Sequence, residues 1–427
     1  MSRMQKFLAV FAGILVLFFG FVVVRVWAVK PPDSIKHTSI PAGEYDPAVW
    51  GNAYPLQYSS YQKNLEMADS PTGYNGSNNY QKAERQPEIY TNFKGNPFSK
   101  DYTEDRGHLY SLEDLQHSKR IGPTSKGACI TCKTPSLEKF YNEMGWAYAN
   151  MPLTELQQQS KHPISCANCH DPETMNLRVI NPAFIEGMSR KGVDVTKATR
   201  EEMRSYVCGQ CHAEYYFVPG TTQVVFPWDK GYTPEEMYQY YAANPNGFEQ
   251  DFVHPDSGVK VLKAQHPDFE EWANGTHGKF GVSCADCHMP FVRESGKKYS
   301  SHWMTSPLRQ VEQACYPCHT QGSDQLYNQV KAIQDNTWQM QRRAGELVAR
   351  AHGAIQKAAA VPNANQAELA TAREHLRRAQ WYWDFVAAAN GGGFHNGIQT
   401  LHTLGQSADF AYQAIEAANR AAGNNTL

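Results

Sequence analysis

The chain opens on an unbroken apolar run, Phe7 to Val24, with Arg3 and Lys6 before it and Arg25 after it. Its 18 residues meet the length of a membrane-spanning helix. They exceed the ~7–15-residue core of a cleavable signal. Val26-Trp27-Ala28 nevertheless fits a small-residue cleavage site. Anchor and signal therefore both stand for residues 1–30. Either one exports the rest of the chain and leaves the positive charges inside. The expectation is an extracytoplasmic (periplasmic-side) protein, tethered to the cytoplasmic membrane by residues 7–24.

The pattern then changes twice. Residues 31–128 are rich in Pro, Gly, Tyr, Ser and Asn with little periodicity, which predicts irregular wrapping with short helices. From Ser323, apolar residues return at three- and four-residue steps: Leu326, Val330, Ile333, Met340, Ala344, Leu347, Ala351 and Ile355. That is one stripe on a long helix, which Pro362 ends. Asn365, with Glu368 three residues on, predicts the cap of a second helix. Gly391-Gly392-Gly393 stops that helix, and a third is predicted from about Ile398 to Ala422. Residues 321–427 thus form a long-helical region, either packed on the rest of the chain or offering a dimerisation face.

Composition narrows the class. The 427 residues are 41% hydrophobic and 12% aromatic, too apolar for a disordered chain. A net charge of −2 gives no basic excess for nucleic acid. The decisive counts are 10 cysteines and 16 histidines. The cysteines all fall in C-x-x-C pairs: Cys129/Cys132, Cys166/Cys169, Cys208/Cys211, Cys284/Cys287 and Cys315/Cys318. Four pairs are followed at once by histidine, namely His170, His212, His288 and His319, and the first by Lys133. C-x-x-C-H attaches c-type haem, the two thiols adding to the vinyl groups and the next residue facing the iron. A disulfide framework does not explain five equal spacings. Zinc ribbons use such pairs two at a time, and a redox dithiol needs one. Five c-type haems are the expectation. They place a haem-packed core with little β structure at 31–320, in a mainly α protein.

Five irons have ten axial positions, and the motifs supply five. An electron-transfer haem fills both positions with strong ligands, whereas a catalytic haem keeps one open. Lys133 is the odd ligand, because an amine binds iron only when deprotonated. The haem on Cys129 and Cys132 is therefore the candidate reaction centre.

A chain with C-x-x-C-K first and four C-x-x-C-H motifs after it resembles the ammonia-forming cytochrome c nitrite reductases. Cys208-Gly209-Gln210-Cys211-His212-Ala213-Glu214-Tyr215-Tyr216-Phe217, Lys263-Ala264-Gln265-His266-Pro267 and Arg106-Gly107-His108 also resemble that family, and the likeness runs from about residue 90 to 410. The resemblance implies Lys133 as proximal ligand of the catalytic haem, with Arg106, Tyr215 and His266 on its open face. It implies calcium held by Glu214 and Gln265 side chains and by the carbonyls of Tyr215 and Lys263. It implies His302, His108, His395 and His277 as distal ligands of the second to fifth haems. Six-electron reduction of nitrite to ammonium, a membrane quinol-oxidising multihaem cytochrome as donor, and a homodimer follow from the same likeness. The rival expectations are reduction of hydroxylamine or sulfite on this scaffold, or a pure electron carrier.

Overall fold

The computed structural model describes Met4 and residues 38–423. The apolar run Phe7–Val24 lies outside these residues. Among the described residues no helix is long and apolar enough to cross a membrane.

The protein is mainly helical, and its helices divide into two populations. Residues 47–314 carry short helices, most under ten residues, many opened by a side-chain cap. Asp46 and Asn181 accept from the backbone N–H two residues on, each followed by Pro at the first helical position. Thr199 with Glu202, and Thr233 with Glu236, close reciprocal capping boxes. Strand is confined, among the described residues, to three two-stranded antiparallel hairpins: Tyr216–Phe217 with Val224–Val225, Phe252–Val253 with Lys260–Val261, and Phe291–Glu294 with Lys297–Ser300.

The three predicted long helices follow, at Ser323–Ala359, Gln366–Ala388 and Gly397–Ala421. Asn365 Oδ1 accepts from the N–H groups of Ala367 and Glu368, so the cap is real. The reciprocal half is not made, because the Glu368 carboxylate turns to Arg420 at 3.0 Å and ties the second helix to the third.

The cores divide the same way. The bundle core is built from Ala344, Leu347, Val348, Ala351, Ile355, Ala372, Leu376, Leu404, Ala411 and Ala414. Its many alanines let the helix axes approach closely. The other core is aromatic, with Phe184, Phe226, Trp228 and Phe269 in mutual ring contact at 4.8–6.3 Å. Each such ring contributes roughly 1.5–3 kcal/mol by burial. The apolar stripe of the first long helix serves two purposes. Ala344 to Ile355 enter the bundle core, while Leu326, Val330 and Ile333 line a large internal cavity.

Candidate haem and substrate site

The cavity measures about 1660 Å³, beyond the ~300–1,000 Å³ of a single small-ligand site. All ten cysteines line it. They are free thiols, so they do not form a disulfide framework. Among the described residues no three His, Cys, Asp or Glu side chains cluster as a metal cage.

Each motif is a tight turn whose backbone aims the following residue. The N–H of His170, His212 and His319 bonds the carbonyl of the first cysteine of its own motif, at 2.9 Å in all three. The first motif closes differently: the N–H of Lys133 bonds Ile130 O at 3.0 Å, and Ser111 Oγ fixes Lys133 O at 2.8 Å. The turns are packed against one another out of chain order. The Cys132 and Cys211 thiols are neighbours that perturb each other's titration, as are those of Cys208 and Cys284. The first motif thus neighbours the third, and the third neighbours the fourth.

Four histidine pairs face each other across the cavity. Ring centres lie 6.1 Å apart for His170 and His302, 6.2 Å for His212 and His108, 6.3 Å for His288 and His395, and 6.2 Å for His319 and His277. Two metal–nitrogen bonds of about 2 Å, extended to each ring centre, span on the order of 6 Å. The donor set and its spacing therefore fit an iron between each pair. Burial also holds most of these imidazoles neutral, the form that offers a lone pair: His108 is pushed down to about 3, and His288 and His302 to about 4. Glycine makes the His395 position reachable. Gly392 and Gly393 have φ of 56° and 84°, and a Cβ on Gly391 would meet His395 Nδ1 at 2.7 Å.

Among the described residues nine histidines line the cavity, and eight of them form these pairs. His266 is the ninth. Burial holds it down to about 4, with Asp105 opposing. Tyr215 also lines the cavity, its phenol raised well above its usual value by burial and then by the Cys132 and Cys129 sulfurs. Asp105 is held to about 2: burial raises it, and the charges of Lys133, His266, Lys82 and Arg120 more than offset that.

Arg106 lines the cavity, but its guanidinium is committed elsewhere. It pairs with Asp114 at 2.5 Å and Glu113 at 2.9 Å, and stacks on Tyr110 at 3.8 Å. Sequence reasoning passed over Arg120. Its Nε bonds Ser118 Oγ at 3.2 Å, its guanidinium rests 4.4 Å from the Phe98 ring centre, and among the described residues it forms no ion pair. Its charge acts on Cys129, Tyr215 and Asp105. The signal in the sequence was its place just before the first motif, after the helix Ser111–His117.

The four expected calcium ligands lie together beside the cavity. Glu214 is 1% exposed. Its carboxylate accepts from Tyr241 Oη at 3.0 Å and from the Gln265 N–H at 2.6 Å. The Gln265 amide reaches Lys263 O at 3.1 Å. Lys263 Nζ is turned away to Asp384 at 3.1 Å, which leaves only its carbonyl for the site. Glu270, 0% exposed, accepts from the Glu214 N–H at 2.8 Å. Burial raises Glu214 well above its usual value and Glu270 to about 8. Two buried carboxyls beside neutral oxygens form a donor set that suits a hard dication.

Cysteine turns with paired imidazoles around one cavity define a c-type cytochrome carrying several haems. The chain matches the cytochrome c552 family over residues 46–427, and it belongs to that family. It is 39% identical over 369 residues to cytochrome c-552 of Parabacteroides distasonis, covering 84% of this chain and 74% of the relative. It is 38% identical over 424 residues to cytochrome c nitrite reductase subunit NrfA of Nitratidesulfovibrio vulgaris, covering 91% and 81%. The solved cytochrome c nitrite reductase of Desulfovibrio desulfuricans, described with two calcium sites, superposes with a TM-score of 0.86 at 36% identity, over 91% of this chain and 89% of that one.

Proposed function

We propose that this chain reduces nitrite to ammonium outside the cytoplasm. Nitrite takes up six electrons and eight protons and releases ammonium and two waters. The observation that carries the reading is an asymmetry of ligands. Four motifs have a histidine paired with a second histidine, whereas the first has Lys133, with Tyr215 and His266 lining the same cavity. Haem in the five motifs would supply an iron for the substrate beside Lys133 and one-electron carriers elsewhere. The residues do the rest. His266, neutral at pH 7, can donate its N–H to a nitrite oxygen and accept a replacement proton. Tyr215 keeps its phenol protonated and so can donate as well. Arg120, whose guanidinium forms no ion pair among the described residues, is the stronger candidate than Arg106 to hold the anion. Glu214 and Gln265, with the Tyr215 and Lys263 carbonyls, would hold calcium and fix the two segments carrying Tyr215 and His266. Ile398, Leu401 and Tyr412 leave an exposed apolar face on the third long helix, which suits a homodimer better than the first helix. A membrane quinol-oxidising cytochrome is the proposed donor.

The test counts haems by pyridine haemochrome and records EPR spectra with and without nitrite. Five haems, with one high-spin signal that nitrite changes, support the reading. Five low-spin haems indifferent to nitrite make the protein an electron carrier with His266 as a sixth ligand.

A further inference from the structure

Asp268 opens the helix Asp268–Asn274, directly after His266-Pro267, and its side chain is 9% exposed. Its backbone is pinned on both sides: the Asp268 N–H bonds His266 O at 2.8 Å, and the Phe269 N–H bonds His212 O at 2.9 Å. Asn390 grips the carboxylate with a two-point fork. The Asn390 backbone N–H donates to Oδ1 at 2.8 Å, and its Nδ2 donates to Oδ2 at 2.9 Å. The carboxylate is thus held in one orientation, and each oxygen is left with one imidazole. Oδ1 lies 3.6 Å from His395 Nδ1, and Oδ2 lies 3.7 Å from His212 Nδ1.

These two imidazoles belong to different pairs. His212 faces His108, and His395 faces His288. In three of the other imidazoles the outer nitrogen meets a backbone carbonyl: His170 with Met175 O at 2.9 Å, His288 with Thr305 O at 3.0 Å, and His302 with Ser300 O at 2.8 Å. A carbonyl offers a dipole, whereas a carboxylate offers a full charge in a low-dielectric interior. The partner of a ligating imidazole sets how strongly that imidazole donates to its metal.

We propose that Asp268 is a shared positioning residue, one carboxylate that lowers the reduction potentials of the third and fourth haems together and couples them. This rests on the haem reading above. The chemistry is one-electron: with haem bound, the Asp268 charge 3.6–3.7 Å from each Nδ1 favours the ferric form of each iron, and no proton leaves either imidazole. When one iron is oxidised, its imidazole draws harder on Asp268, and less of the carboxylate's basicity is left for the other.

The experiment is an EPR-monitored potentiometric titration of fully haem-loaded protein. Asp268→Asn is expected to move both the third- and fourth-motif haems to higher potential and leave the second-motif haem in place. Asn390→Ala removes the Nδ2 donor from Oδ2, frees that oxygen for His212, and is expected to move the third-motif haem the opposite way. If Asp268→Asn does not load haem, Asn390→Ala carries the test alone. No shift in either variant, a shift of one haem alone in Asp268→Asn, or an equal shift of all haems overturns the proposal. A wild-type count below five haems instead overturns the haem reading beneath it.

Discussion

Arg106 closes on Asp114 at 2.5 Å, and the same guanidinium holds Glu113 at 2.9 Å. A cation held by two carboxylates has little charge left for a third anion. Arg120, with no carboxylate partner among the described residues, does have it. Charged hydrogen bonds contribute about 1.5–3 kcal/mol, so Arg120→Ala is expected to lower kcat/KM for nitrite about 10- to 100-fold. Arg106→Ala is expected to change it far less. Steady-state nitrite kinetics on both variants check this, and the reverse ranking would return the substrate role to Arg106.

The lysine of the first motif gives a second expectation. Lys133→His keeps the attachment cysteines and the turn, so haem content is expected to hold while nitrite turnover falls. Turnover equal to wild type, at a full haemochrome count, would show that the amine has no special part.

The pairs make each distal histidine separately testable. His302 stands opposite His170 at 6.1 Å and is oriented by Ser300 O at 2.8 Å. His302→Ala is expected to leave the covalent attachment at Cys166 and Cys169 intact and to convert one low-spin EPR signal to high-spin. An unchanged low-spin count would mean that another side chain completes that site.

Calcium and pH are linked through Glu214 and Glu270. Burial raises both pKa values, Glu270 to about 8. For an acid whose folded pKa lies above its unfolded value, the fold binds the extra proton, so stability is lost as pH rises between the two values. For Glu270 that window runs from the ordinary carboxyl range to about 8. Calcium replaces those protons, so its affinity is expected to rise with pH across the same range. Thermal melts with and without a chelator should therefore diverge as pH goes from 5 to 8, the chelated protein losing Tm. Parallel curves would show that no cation is held there.

His266 is expected to act on nitrite more than on later intermediates. His266→Asn should lose most nitrite turnover yet still reduce hydroxylamine in part. Unchanged nitrite kinetics would remove it from proton delivery.

The chain by itself determined the local features. Covalent haem attachment needs two thiols and a following ligand within five residues, so Cys129 to Lys133 and the four later motifs can be read without any fold. Helix caps and apolar periods are equally local, which is why Asn365 and the stripe from Leu326 to Ile355 were legible. The glycines before His395 announced a stop, although not that their left-handed turn brings that imidazole opposite His288. Pairing was a different matter. His108 and His212 are more than a hundred residues apart, and although Cys211 marks His212 as a motif ligand, spacing along the chain does not mark His108 as its partner. The family likeness named the pairs, and the packing put their rings 6.1–6.3 Å apart. Only tertiary structure shows which of the two arginines is ion-paired, because that depends on which carboxylates the helix Ser111–His117 turns toward Arg106. The same holds for Asp268, which lies within 3.7 Å of two imidazoles from distant parts of the chain. Spacing along a chain fixes bonds made within a turn, whereas charges and ligands that meet across the molecule are fixed by how the turns pack.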